Sequence, residues 1–162
     1  MITLTTIISG GQTGVDQTAL RIAALLGFQT GGTAPLGYRT DVGLRPDLLR
    51  DVYHLQESWS PSYRVRTRDN ALAADGTVWF GDISSPGGHL TSQVATAHRL
   101  VRVNYLWIVN PTADQLLAAL DTFPITTLNV AGNRQRTHPS SAAVAENILT
   151  EVLTAIRDAR TQ

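Results

Sequence analysis

The residues best suited to chemistry form a glycine-rich loop that comprises Ser9, Gly10, Gly11, Gln12, Thr13 and Gly14. Glycines allow a sharp turn and let a backbone approach a ligand closely. A helix that begins just after such a loop directs free N–H groups and the positive end of its dipole at the loop, which makes an anion site. Gln12 and Thr13 add side-chain donors. Asp16, in the first helical turn, can cap the helix, complement its dipole, or bind a ribose hydroxyl or a metal-bound water.

The spacing of these glycines excludes the two best-known nucleotide fingerprints. It does not match the dinucleotide pattern G-x-G-x-x-G, and it has no P-loop lysine. A plain turn between a strand and a helix is the alternative explanation of the loop. The inserted Gln12 and Thr13, and a second glycine turn later in the chain, favour ligand binding.

The second glycine turn comprises Gly87 and Gly88, which follow Ser84, Ser85 and Pro86. In a parallel sheet the carboxyl ends of all strands lie on one edge, and ligands bind there. The two glycine turns can therefore face one ligand, with Thr91 supplying a hydroxyl from the first turn of the next helix. His89 can contribute an imidazole, although a solvated histidine is the simpler explanation.

A third group of polar residues supplies candidates for binding and catalysis. Arg66 can hold a phosphate through two parallel hydrogen bonds, or it can be a surface arginine paired with a carboxylate. Asn70 follows it one helical turn later. Asp16 and Asp75 are the candidate catalytic carboxylates. The chain has no H-E-x-x-H or similar metal-ligand spacing and no Gly-x-Ser-x-Gly, so neither a metal site nor a serine hydrolase is expected.

Strands and helices alternate along the chain. The predicted strands are 5–8, 28–30, 52–55 (at an edge), 77–80, 105–109 and 127–131. Five helices are predicted. The first covers 15–26 and the second 62–73, and the third begins at Pro86 and buries Leu90, Val94, Ala97 and Val101. The fourth is capped by Thr112 and Gln115, and the fifth covers 139–156 with Val144 on its inner stripe. Residues 31–50 form a long loop with one helical turn at 46–49. This order predicts an α/β, Rossmann-like, three-layer fold with a mainly parallel sheet and helices on both faces. We expect one domain over 1–159 and a frayed tail at 160–162.

Composition limits the possible partners. Thirteen basic and thirteen acidic residues cancel, so duplex nucleic acid is not an expected partner. No cysteine is present, and neither a signal peptide nor a membrane span is expected, which fits a cytoplasmic location. A charged fraction of only 16% and three tryptophans suggest a covered surface, and hence a homo-oligomer.

The motifs together resemble the family named putative molybdenum carrier, the circularly permuted YpsA-like branch of the SLOG superfamily. The matching pieces are residues 8–16, Gly31-Gly32 with Pro35, Arg66-Thr67 with Asn70, residues 75–77, Gly87-Gly88 with Leu90-Thr91, and residues 129–132. The chain departs from the family pattern at Thr33, Leu36, Asp41 and Asn133. A related branch, the cytokinin-activating phosphoribohydrolases, has Pro-Gly-Gly-x-Gly-Thr-x-x-Glu; here Leu90 replaces the third glycine and Val94 the glutamate.

The resemblance implies a Rossmann-like fold whose glycine loops form one ligand pocket. It favours a binding protein or sensor for a nucleotide-derived or other phosphate-bearing ligand. Two alternatives remain open: an enzyme that hydrolyses an N-glycosidic or phosphate bond of a nucleotide, and a carrier of molybdenum cofactor or an oxyanion. The motifs supply no complete catalytic set.

Overall fold

The fold is built on a five-stranded sheet in which all paired strands are parallel. The structure, a computed structural model, describes residues 1–162 without a gap. The strands are β1 (Thr6–Ile8), β2 (Gln29–Gly31), β3 (Thr33–Ala34), β4 (Arg39–Thr40), β5 (Gly43–Leu44), β6 (Gln56–Glu57), β7 (Gly76–Phe80), β8 (Leu106–Val109) and β9 (Thr127–Gly132). The helices are α1 (Val15–Leu25), α2 (Pro46–Leu49), α3 (Tyr63–Ala73), α4 (Pro86–Val101), α5 (Ala113–Thr122) and α6 (Pro139–Arg160).

The strand order in the sheet is β2-β1-β9-β7-β8. The last strand of the chain, β9, therefore lies between β1 and β7. A change of direction in the strand order opens a crevice at the carboxyl ends of the strands, because the neighbouring connections leave toward opposite sides. The loops that follow β1, β9 and β7 meet at this edge.

Helices cover both faces of the sheet, as the alternating pattern predicts. On one face α1, α5 and α6 pack over a core of 21 buried apolar residues, and on the other face α3 packs against α4. The predicted capping box of α5 is present, with Thr112 Oγ1 accepting from the Gln115 amide and Gln115 Oε1 accepting from the Thr112 amide. The Rossmann-like α/β architecture is confirmed. None of the helices combines the length and the apolar character that a bilayer-spanning segment needs.

The long segment after β2 has more structure than the sequence indicated. The predicted helical turn at 46–49 is present as α2, but the segment also contains a 3-10 turn (Leu36–Tyr38) and the small strand pairs β3-β6 and β4-β5. A separate cluster of six buried apolar residues holds it against Leu20 of α1.

Several expectations about local structure were wrong. Residues 52–55, which were predicted to form an edge strand, do not form a strand. Val52 is half exposed, while Tyr53 and Leu55 are buried in the small cluster. The strand follows at β6 and pairs with β3. The buried face of α4 consists of small residues, Gly88, Thr91 and Ala95. Of the predicted apolar face, Leu90 and Val94 are half-buried, and Ala97 and Val101 are exposed.

Two further differences concern the last helix. Val144, which was predicted on the inner stripe of the last helix, is 50% exposed. Helix α6 continues past the predicted end to Arg160, one of the residues expected to fray, and the Arg160 guanidinium donates to the Leu4 carbonyl. An arginine at the last turn also complements the negative end of the helix dipole.

Candidate functional site

A cavity of about 550 Å³ opens at the carboxyl ends of β1, β9 and β7, a size usual for small-molecule sites. Its lining combines residues of the two glycine turns with polar residues of α3 and of the segment that links β9 to α6. The lining residues are Gly10, Gln12, Asp16, Tyr63, Arg64, Arg66, Thr67, Asn70, Trp79, Ser85, Pro86, Gly87, Leu90, Thr91, Asn129, Ala131, Gly132, Asn133, Arg134, Thr137 and His138.

The amides of the first glycine loop are largely used within the chain. The Gly11 amide donates to Ser9 Oγ at 3.3 Å, and the Thr13 amide donates to Gln12 Oε1 at 2.9 Å. The Gln12 amide donates to Asp16 Oδ2 at 3.1 Å. A carboxylate of the protein itself therefore takes the place at the positive end of α1 where the sequence predicted a ligand anion. The loop shapes the cavity and positions Asp16.

Asp16 forms a buried ion pair with Arg66 across the cavity floor. The distance from Arg66 Nη1 to Asp16 Oδ2 is 3.2 Å, and the two side chains are only 11% and 4% exposed. Burial raises the pKa of Asp16 above its ordinary value, and this outweighs the lowering by the Arg66 charge and the Gln12 amide. Asp16 Oδ1 has no hydrogen-bond partner within the chain. This oxygen can accept a bond from a ligand.

Gly10 is required for this ion pair because Arg66 lies directly against its backbone. A Cβ atom at position 10 would lie 2.6 Å from Arg66 Cζ and 2.8 Å from Arg66 Cδ. Both distances are shorter than van der Waals contact. The glycine at this position makes room for a guanidinium, and thereby allows Arg66 to reach Asp16.

The second glycine turn presents the N-terminus of the 16-residue helix α4 to the cavity. Ser85 caps this helix, because its Oγ accepts from the Gly88 amide at 3.2 Å. The Ser85 carbonyl accepts from the His89 amide, and the Gly87 amide has no acceptor within the chain. The Trp79 indole lies beside Gly87, 3.6 Å from the position of a Cβ there. This end of the cavity offers donors and the positive end of a helix dipole.

Three buried N–H donors at the cavity lack an acceptor: Gln12 Nε2, Arg66 Nε and Trp79 Nε1. The orientation of Gln12 follows from its other atom, since Oε1 accepts from the amides of both Thr13 and Asp41. Buried polar groups without partners are rare in folded proteins. All three atoms are buried behind the surface of the cavity.

Several guanidinium groups surround the ring of Tyr63 at one side of the cavity. The Cζ atoms of Arg39, Arg134 and Arg66 lie 4.8 Å, 5.2 Å and 5.5 Å from the ring centroid. These distances are within the range of cation–π contact. Arg64, next to Tyr63 in α3, lines the same cavity.

A model of the circularly permutated YpsA SLOG family matches residues 7–153. This chain belongs to the circularly permutated YpsA SLOG family. The chain is also similar to the crystal structure of a putative molybdenum carrier protein from Syntrophus aciditrophicus SB, with 28% sequence identity and a TM-score of 0.77. That similarity covers 94% of this chain and 96% of the other. No curated protein matches the sequence.

In this member of the family, the cavity includes part of the predicted ligand-binding set. The predicted ligand-binding residues that line it are Gly10, Gln12, Asp16, Arg66, Asn70, Gly87 and Thr91. The other predicted ligand-binding residues, Ser9, Gly11, Thr13, Gly14 and Gly88, do not line the cavity. Asn70 lines the cavity, but its amide group is used to hold β3, since Oδ1 accepts from the Thr33 amide at 2.8 Å and Nδ2 donates to the Thr33 carbonyl at 2.9 Å.

The structure does not bring Asp75, the second candidate catalytic carboxylate, to the cavity. Asp75 lies at the opposite end of β7, where its Oδ2 accepts from the amides of Thr126 and Thr127 and from Thr126 Oγ1, and its Oδ1 accepts from Arg102. Burial alone would raise the pKa of Asp75, but these hydrogen bonds outweigh it and lower the pKa to about 2. Asp75 ties the beginning of β7 to the beginning of β9.

The sequence interpretation missed the cavity residues of the segment after β9, including Arg134 and His138, and those at the start of α3, including Tyr63 and Arg64. Both segments carry a signal in the sequence. The first follows the carboxyl end of a predicted strand, and the second directly precedes the candidate residue Arg66. Trp79, one of the three tryptophans that suggested a covered surface, is buried and lines the cavity. No group of three or more His, Cys, Asp or Glu side chains is placed to hold a metal ion.

Proposed function

We propose that this protein binds a nucleotide-derived or other phosphate-bearing small molecule in the cavity, as a carrier or sensor. The observation that carries the proposal is the N-terminus of α4 at the cavity, where the Gly87 amide has no acceptor within the chain. A free amide and the positive end of a helix dipole together favour an anion. Arg64 and Arg134 line the same cavity and add positive charge, which suits the oxygens of a phosphate.

The α4 end of the cavity supports a phosphate more strongly than the α1 end does. At α1 the carboxylate of Asp16 already complements the helix and would repel an anion that came close to it. At α4 the Gly87 amide has no acceptor within the chain. We therefore assign a phosphate group of the ligand to the N-terminus of α4.

A second candidate ligand is an oxyanion such as molybdate, or the phosphate-bearing molybdenum cofactor. The similarity to the putative molybdenum carrier protein from Syntrophus aciditrophicus SB favours it. A tetrahedral oxyanion presents the same acceptor geometry as phosphate to the Gly87 amide. The chain offers no side-chain set for a bare metal cation, so molybdenum would be bound through its oxo groups or through the cofactor phosphate.

Titration calorimetry of the purified protein against AMP, GTP, NAD, ADP-ribose, molybdate and molybdopterin nucleotides tests the proposal. We expect at least one of them to bind, and Gly87→Pro, which removes the free amide in the first turn of α4, to weaken that binding at least about tenfold, since a hydrogen bond to a charged group contributes about 1.5–3 kcal/mol. Gly87→Ala, which keeps the amide and whose Cβ makes an ordinary contact, is the matched control. Absence of binding by folded protein across the panel would overturn the proposal.

The same samples distinguish binding from hydrolysis. Asp16 has a free oxygen and a raised pKa, which are the properties that a general acid or base requires. Chromatography of the ligand after long incubation shows whether an N-glycosidic or phosphate bond is cleaved. Recovery of intact ligand supports a carrier or sensor, and a product lost in Asp16→Asn identifies an enzyme.

A further inference from the structure

We propose that the ligand carries two separate anionic groups, and that the second is held by the arginine cluster, defined as Arg64, Arg66 and Arg134, which line the cavity together with Tyr63. This inference rests on the proposed function and specifies the ligand class as a bisphosphate or a compound with two equivalent anions. The first anion lies at the N-terminus of α4. The second lies at the opposite side of the cavity, next to Tyr63.

The charges of the arginine cluster are only partly balanced. Arg66 is paired with Asp16, and Arg134 Nη1 with Asp41 Oδ1 at 3.1 Å. No carboxylate lies within ion-pair distance of Arg64. Three guanidinium groups therefore face two carboxylates, leaving a formal charge of +1 at one side of a cavity in a chain whose total charge is zero.

One phosphate cannot satisfy both sides of the cavity. Trp79 and Gly87 belong to β7 and to the helix that follows it, whereas Arg66 reaches Asp16 and Gly10 beyond β1. Because β9 separates β1 from β7, the ends of these strands lie about 10 Å apart, twice the spacing between neighbouring strands. The Gly87 amide lacks an acceptor on one side, and Arg64 lacks a carboxylate partner on the other.

The guanidinium groups of the cluster are better suited to bind an anion than to stack on an uncharged ring of a ligand. Guanidinium groups bind phosphate through two parallel hydrogen bonds, and their fixed planes make that contact specific. Packing against Tyr63 holds the guanidinium planes of Arg66 and Arg134 near the ring, which reduces the conformational freedom that binding would otherwise have to remove. Arg64 is the residue most available for the anion, because no carboxylate engages it.

Pairs of compounds that differ by one phosphate test the proposal in solution. Suitable pairs are AMP with adenosine 2′,5′-bisphosphate, NAD with NADP, and fructose 6-phosphate with fructose 1,6-bisphosphate. We expect a bisphosphate to bind about tenfold more tightly than its partner, and Arg64→Gln to remove that gain. Arg68→Gln, an exposed position of α3 outside the cavity, removes the same charge and should leave the gain intact.

Tungstate, a heavy tetrahedral anion, tests the two positions without knowledge of the ligand. Crystals soaked in tungstate should show anomalous peaks at both sides, and crystals of Arg64→Gln or Arg134→Gln should lose only the peak next to Tyr63. A single peak at α4, with equal affinities within each pair, would overturn the second anion and leave the proposed function standing. No peak and no binding of any compound would overturn both.

Discussion

Gly10→Ala isolates the ion pair at the cavity floor with the smallest possible change. Gly10 does not have a left-handed backbone conformation, so alanine is compatible with its backbone. The added Cβ would collide with the guanidinium of Arg66, at 2.6 Å from its Cζ. The flexible end of Arg66 must move away, and its contact with Asp16 is lost.

The expected cost follows from the burial of both partners. Loss of a hydrogen bond between charged groups costs about 1.5–3 kcal/mol. The reduced freedom of the unfolded chain with alanine returns about 0.4–1 kcal/mol. We expect Gly10→Ala to lower the free energy of unfolding by about 1–2 kcal/mol at pH 7. The deficit should shrink at acidic pH, because protonated Asp16 has no charge for Arg66 to compensate.

Urea unfolding at a series of pH values measures this difference. Gly87→Ala is the matched control: its Cβ would make an ordinary contact with Trp79 at 3.6 Å, so it should be as stable as the wild type or slightly more stable. Two results would refute the reasoning. One is equal stability of the two variants at pH 7, and the other is an undiminished deficit of Gly10→Ala when Arg66 is already alanine.

Other properties of the chain can be tested in the same way. The pKa of Asp16 is higher in the folded chain than its unfolded value near 3.8. The free energy of unfolding should therefore fall as the pH rises from 3.8 through the raised pKa. In urea titrations, Asp16→Asn should abolish that decline. The pKa of Asp75 is lowered to about 2, so its contribution is present above pH 3.8 and is lost as the pH falls toward 2; Asp75→Asn should cost about 2 kcal/mol at pH 7, and an unchanged urea midpoint would contradict this. Leu100, Val101 and Val103 are all more than 80% exposed, so we expect self-association through them; sedimentation velocity should show Leu100→Gln shifted toward the monomer, and a monomeric wild type would disprove it.

Local chemistry along the chain determined the elements and their order. The β-branched residues before Gly10, the capping pair Thr112 and Gln115, and the proline that begins α2 each specify their segment through near neighbours in the sequence. The glycine turns marked the correct edge of the sheet for the same reason, since a turn after a buried strand is a local feature. Family membership likewise follows from motifs that lie within short stretches.

Only the tertiary structure decided which residues face one another across the cavity. The insertion of β9 between β1 and β7 brings Arg134 next to Tyr63, about seventy residues earlier in the chain, and no periodicity records such a pairing. The tertiary structure also decided the role of the glycine-rich loop, residues 9–14, whose glycines predicted an anion site. In the folded chain the carboxylate of Asp16 occupies that position and Gly10 makes room for Arg66, because burial favours internal partners over solvent for every charge.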